Sequence, residues 1–250
     1  MKKSLLSRRS FWLAGSCAAL ILGACSTTST TPSTSASAPA AAAAASSGSG
    51  TAQQVLADGL HLVSQTSQRI LYLRPGANFS KYTKVQILEC FVAMQKNWQE
   101  DYNQTVSNLD QMVTDSDVQS MKNKLSAAFK QVFTQELTAG GYPVVNTAAP
   151  DVLLLRPALL NVQVTAPDLL SAAPVGSVIT SAGSATLFLE LWDPVSKTIL
   201  ARVTDAQADQ QHTAQTFNFQ TNKDAADKIL KMWADNLVKH LDAARAAGTG

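Results

Sequence analysis

From Ser26 to Thr51 the chain is built of Ser, Thr, Ala, Pro and Gly, with no charged and no bulky apolar side chain. Such a stretch has no apolar area to bury against its own conformational entropy, so it reads as a disordered tether and cannot join a core. Whatever folds must be built from residues 52–250, enough for one globular domain with a proper core. As a flexible chain the tether spans roughly 25–30 Å, and fully stretched about 85 Å.

The residues ahead of the tether have the three parts of a secretory signal. Lys2, Lys3, Arg8 and Arg9 make a cationic start without an acid, and Phe11 to Leu22 is a short apolar run. A bilayer span needs about 20 apolar residues, so this run fits a signal rather than a permanent anchor. Leu22-Gly23-Ala24-Cys25 closes it. Small residues before a cysteine, with Leu three positions ahead, form the lipobox of bacterial lipoproteins: the small side chains fit the peptidase cleft and the Cys25 thiol accepts diacylglycerol. Residues 1–24 are therefore expected to be removed, and residues 25–51 to be a lipidated Cys followed by its tether. Ser26, in place of an Asp, points to the periplasmic leaflet of the outer membrane rather than the inner membrane. Arg8-Arg9 followed by Phe11 also resembles a twin-arginine signal, so both export routes stay open.

Removing Lys2, Lys3, Arg8 and Arg9 from the 20 basic side chains leaves 16 against 18 acidic ones, a formal balance of −2. Nothing in that balance suggests a nucleic-acid surface. Of three cysteines, Cys17 leaves with the signal and Cys25 is lipidated. Cys90 remains, in the apolar run Val85–Val92, and reads as a buried structural thiol.

Residues 115–139 carry apolar side chains at three- and four-residue steps, Met121, Leu125, Phe129, Phe133 and Leu137 among them, and predict a long amphipathic helix ending at Gly140-Gly141. A second is expected over 222–246, with Asn222 as its cap and Trp233, Leu237 and Leu241 inward. Strands are expected at 69–74, 83–93, 142–145 and 151–164. A hairpin follows, 185–192 paired with 198–204 around Asp193-Pro194-Val195-Ser196-Lys197. In its first strand Phe188, Glu190 and Trp192 share one face, and Leu187, Leu189 and Leu191 the other. Residues 55–66 read as a short helical lead-in, and 97–113 stay unassigned. The order implies an α/β (α+β) two-layer domain, a mixed sheet packed against two long amphipathic helices.

No short motif carries chemistry. His61, His212 and His240 share no metal-ligand spacing with one another or with a Cys or carboxylate, and no nucleophile elbow or phosphate loop is present. No metal, cofactor or catalytic residue is expected. Asp205 and Asp209 are placed on a polar loop after the hairpin, and Glu89 and Glu190, inside apolar strands, at outward positions on a sheet edge.

Two segments carry a family resemblance. The run from Tyr72 through Arg74-Pro75-Gly76 to Tyr82 and Val85, and the hairpin from Glu190 through Asp193 to Arg202, resemble a bacterial lipoprotein family of unknown function, DUF3313. Arg74, Pro75, Gly76, Tyr82 and Asp193 are the family-like positions. The resemblance implies a fold similar to anticodon-binding-like periplasmic lipoprotein domains, such as curli-secretion channel lipoproteins and penicillin-binding-protein activators; it brings no activity. The expected role is non-catalytic: a lipid-anchored domain binding an envelope protein partner or itself. The alternatives are an envelope hydrolase using Asp205 and Asp209, or a small-ligand carrier using the face of Phe188 and Trp192.

Overall fold

A computed structural model describes residues 55–165, 167, 177–179, 183–209, 215–217 and 219–247. Leu22, Gly23, Ala24, Cys25, the tether and His212 lie outside the described residues.

The strands are β1 His61–Gln65, β2 Arg69–Leu73, β3 Lys84–Ile87, β4 Phe91–Met94, β5 Val152–Val164, β6 Ser177–Ile179, β7 Gly183–Asp193, β8 Thr198–Asp209 and β9 Gln215–Phe217; the helices are α1 Trp98–Thr105, α2 Asp115–Ala139 and α3 Phe219–Ala247. Seven strands form one sheet in the order β1-β2-β8-β7-β5-β3, with β4 also on β5, while β6 and β9 pair separately. β3 and β4 run parallel to β5, and the other pairs of the large sheet are antiparallel. Parallel neighbours need a crossover, and the segment carrying α1 and α2 supplies it. The fold is thus a mixed sheet packed against two long helices, as the periodicities imply.

Both long helices pack on one face of the sheet. Leu187, Leu189 and Leu191 of β7 meet Phe129, Phe133 and Leu137 of α2 and Trp233, Leu237 and Leu241 of α3 in one buried cluster. α2 begins where the sequence puts it. Thr114 accepts from the Asp117 amide, and the Asp117 carboxylate accepts from the Thr114 amide, a reciprocal capping box. It stops at Gly140, where a Cβ would stand 2.6 Å from Cγ1 of Val238 on α3, so only glycine lets the helices close there.

Several expectations need correction. Residues 61–65 form β1, an edge strand hydrogen-bonded to β2, rather than a helical lead-in; pairing with a neighbour outweighs weak local propensity. The expected strand at 83–93 is two segments interrupted at Leu88–Cys90. The break has a cause in the facing strand. Ile87 pairs with Leu155 and Phe91 with Ala158, so the interruption faces Arg156 and Pro157, and proline has no N–H for the ladder. The strand expected at 142–145 reduces to one bridge, Val144 to Val85. α3 starts at Phe219, which puts Asn222 inside the helix rather than at its cap. The unassigned stretch contains α1, entered through Asn97 at φ 61°.

Candidate functional site

The five family-like residues converge on the β7–β8 hairpin. Arg74, Pro75, Gly76 and Ala77 form a tight turn in which the Ala77 amide donates to the Arg74 carbonyl at 3.1 Å. Pro75 supplies the fixed φ of its second position, and Gly76, at φ 72°, the left-handed third, as a type II turn requires. The turn aims Arg74 at two backbone carbonyls, with Nε donating to Ile199 at 2.6 Å and a terminal nitrogen to Asp58 at 2.7 Å.

From the other side, the Tyr82 hydroxyl donates to Oδ2 of Asp193 at 3.0 Å, and Lys81 Nζ reaches the same oxygen at 2.8 Å. Oδ1 of Asp193 accepts from the amides of Val195 and Ser196. This Asx-type cap holds the turn of the hairpin. Tyr82 and Asp193 are both buried, at 1% and 7% exposure. The hydrogen bond from Lys81, with those from the turn amides and Tyr82, holds the Asp193 carboxyl well below the usual carboxylate range despite its burial. Every acceptor site is occupied by the chain itself. The cluster is a clamp, fastening residues 74–82 to the hairpin, and it leaves no lone pair directed at a substrate.

The face of the sheet turned away from α2 and α3 carries two rows set by strand register. Phe91, Ala158, Phe188, Thr204 and Ile70 follow one another across β4, β5, β7, β8 and β2. Beside them run Arg156, Glu190, Arg202, Tyr72 and Leu62. Glu190 is on the outward face, as expected, but 5% exposed and at the centre of the sheet, which corrects its expected edge position. It is tolerated there because its oxygens are saturated: Arg202 donates twice, at 2.8 and 3.1 Å, and the Trp192 indole at 3.2 Å. Arg202 also reaches Asp58 at 2.6 Å and lies 5.7 Å from the Phe188 ring centre. Arg156 stands at the open end of the network. Its side chain is 67% exposed and its nearest approach to Glu190 is 3.6 Å, leaving most of its donors turned to the exterior. Phe91, 64% exposed, lines a shallow groove with Leu88, Arg156 and Phe188. The sequence put Phe188, Glu190 and Trp192 on one face; Asp58, Arg156 and Arg202 were missed. Their only signal was that Arg202 falls opposite Glu190 in the hairpin.

Asp205 and Asp209 lie on β8, not on a loop. Asp205 faces the helix side, buried, with Arg69 Nε donating to it at 2.5 Å and Gln207 at 2.7 Å. Glu89 is exposed in the break between β3 and β4. His61 lies on β1 and His240 on α3. Among the described residues no three of His, Cys, Asp and Glu come together as metal ligands. The Cys90 thiol is buried and pushed up to about 12 by desolvation.

The family model described as "Protein of unknown function (DUF3313)" matches residues 49–237. The chain belongs to the DUF3313 family. The match to this family takes in both segments that carry the clamp, so the clamp residues of the DUF3313 chain lie inside the matched region. No curated protein matches the chain. Among solved structures it is similar to the PelC dodecamer from Paraburkholderia phytofirmans (11% identity, 66% of this chain and 96% of that one, TM-score 0.34) and to a minor lipoprotein from Acinetobacter baumannii (13%, 66% and 95%, 0.32). A Xanthomonas campestris protein of family DUF330 shows 12% identity over 71% of this chain and 94% of its own, with TM-score 0.37. No helix among the described residues is long and apolar enough to cross a membrane.

Proposed function

We propose that this DUF3313 protein is exported, cut before Cys25 and held by lipid at the periplasmic leaflet of the outer membrane. There its domain works without catalysis, docking an envelope protein partner on the face of its sheet turned away from α2 and α3. The observation that supports this most is the make-up of that face. Exposed Phe91 and half-buried Phe188 offer apolar surface, while the charged row beside them is satisfied among the described residues except at Arg156. A complementary partner presents an apolar surface with an acidic side chain toward Arg156, since aromatic and arginine anchors dominate binding where they leave water. The lipobox and tether support the anchoring half: several acyl chains on Cys25 hold the chain at the membrane where one chain would not.

Complementation of a deletion strain, with abundance checked by immunoblot, separates docking from catalysis. Phe91→Asp and Arg156→Ala should each abolish the envelope phenotype at normal abundance. Alanine at His61, His212 or His240 should preserve it. Loss of function from one of those histidine variants at normal abundance would overturn the non-catalytic reading. Asp205→Ala is no test of catalysis, because it strands Arg69 beside the core and destabilises the fold directly.

A further inference from the structure

On the opposite face, between the sheet and α3, lies a cleft of about 190 Å³. Its floor is Leu187, Leu189 and Leu191 of β7, and its roof is Trp233, Leu237 and Leu241 of α3. The space exists because the facing positions of β8 and of the end of α3 carry small side chains, Ala201 and Ala244. Arg69, Asp205, Asn236 and His240 interrupt this lining, and two donors in it bear on a ligand. Arg69, about a third exposed, pairs through Nε with Asp205, while its terminal nitrogens make no hydrogen bond among the described residues. Trp233 is 3% exposed, and its indole N–H finds no acceptor among the described residues. A buried donor left without an acceptor costs about 1–3 kcal/mol, and here it belongs to a residue walling an apolar space.

Arg69, Asp205 and Trp233 gather at one end, while exposed His240, one turn before Ala244, borders the other. Arg69, Asp205 and Leu187 form one cross-strand row, and Leu73, Ala201 and Leu191 form the row two steps along. Ala244 borders both the cleft and the Pro75–Gly76 turn beside Leu73. The C-terminal end of α3 therefore covers the leucine end, and Trp233, three turns earlier, lies toward Arg69 and Asp205. The result is a leucine-walled slot with Arg69 and the Trp233 indole at one end. A cavity of about 150 Å³ accepts benzene, so this one takes on the order of eight carbon atoms, too short for a membrane lipid's acyl chain.

We propose that this cleft binds a free medium-chain carboxylic acid of about eight carbons, its tail against the β7 leucines and its carboxylate at Arg69 and the Trp233 N–H. The site is on the other side of the sheet from the docking face and does not depend on it. The test is titration of the full chain carrying Cys25→Ser with sodium butyrate, octanoate and dodecanoate, followed by tryptophan fluorescence and thermal melting. Octanoate should give a saturable change and raise the melting temperature. Affinity should climb from four to eight carbons and then level off, whereas plain partitioning onto apolar surface gains about fourfold with each further methylene. Octanol should bind at least tenfold more weakly than octanoate. Ala201→Leu, which fills the slot, should abolish octanoate binding while the fold is kept. Trp233→Phe, which removes only the orphan donor, should keep or raise the melting temperature of the free protein and weaken octanoate several-fold. No saturable response to octanoate, a response that keeps climbing at twelve carbons, or undiminished binding by Ala201→Leu would each overturn the proposal.

Discussion

Replacing Asp193 by alanine should cost this protein a large part of its stability, and the reason can be followed bond by bond. The carboxylate accepts from Tyr82 OH, Lys81 Nζ and the amides of Val195 and Ser196. Tyr82 is 1% exposed, so its hydroxyl would be left unpaired in the interior, and a buried bond to a charged acceptor is worth about 1.5–3 kcal/mol. Lys81 is half exposed, and water replaces most of its bond, which leaves about 0–1 kcal/mol. The two turn amides lie beside solvent-exposed Val195 and add roughly 0.5–1 kcal/mol between them. The expected loss is about 2–5 kcal/mol out of a total of about 5–15 kcal/mol. Urea unfolding of the full chain carrying Cys25→Ser measures it, and Tyr82→Phe, alone and combined with Asp193→Ala, isolates the buried bond. The pH dependence has a definite sign. The folded carboxyl titrates below its ordinary 3.8, so its contribution is complete above that value and is lost as pH falls through the folded value. Asp193→Asn should therefore flatten the loss of stability between about pH 4 and pH 2. A change within about 0.5 kcal/mol for Asp193→Ala, against the ~1 kcal/mol typical of a point mutation, would refute the clamp.

Gly140→Ala should destabilise by about 1–3 kcal/mol in the same unfolding assay, because its methyl would overlap Val238 of α3; Val238→Ala should recover part of the loss. Cys25→Ser should leave an unlipidated, unprocessed precursor, read by mass spectrometry of the membrane fraction, since a serine cannot form the thioether. Deleting residues 30–48 should leave the melting temperature within about a degree, because a segment without bulky apolar groups buries little; a loss of several degrees would place that segment against the domain.

The elements read correctly from sequence were those whose own residues decide them. α2 has a repeating apolar stripe and a glycine stop, and its bounds match. The β7–β8 hairpin has strict alternation and turn chemistry, and its faces were legible. The elements misread depend on a distant partner. β1 has little pattern of its own and is a strand because β2 offers it an edge. The β3–β4 break is written in Pro157, some seventy residues away. Asp205 looked like a loop acid because polar Asp205–Asp209 follows an apolar strand, yet β8 continues there and pairs Asp205 with Arg69. The clamp was half visible: Tyr82 and Asp193 were singled out by resemblance, but only the fold shows them meeting. Glu190 looked misplaced until Arg202, opposite it, and Trp192, beside it, were seen to saturate it.

The docking face is the centre of the functional account, and a photo-crosslinking amino acid placed there tests it most directly. With the crosslinker at Phe91 in the native envelope, irradiation should join the chain to one defined protein species, and Arg156→Ala in the same chain should remove that band. A crosslinker at Lys130, on the exposed side of α2, serves as the control and should give none. Equal labelling from both positions, or no protein adduct from Phe91 at normal abundance, would contradict the account.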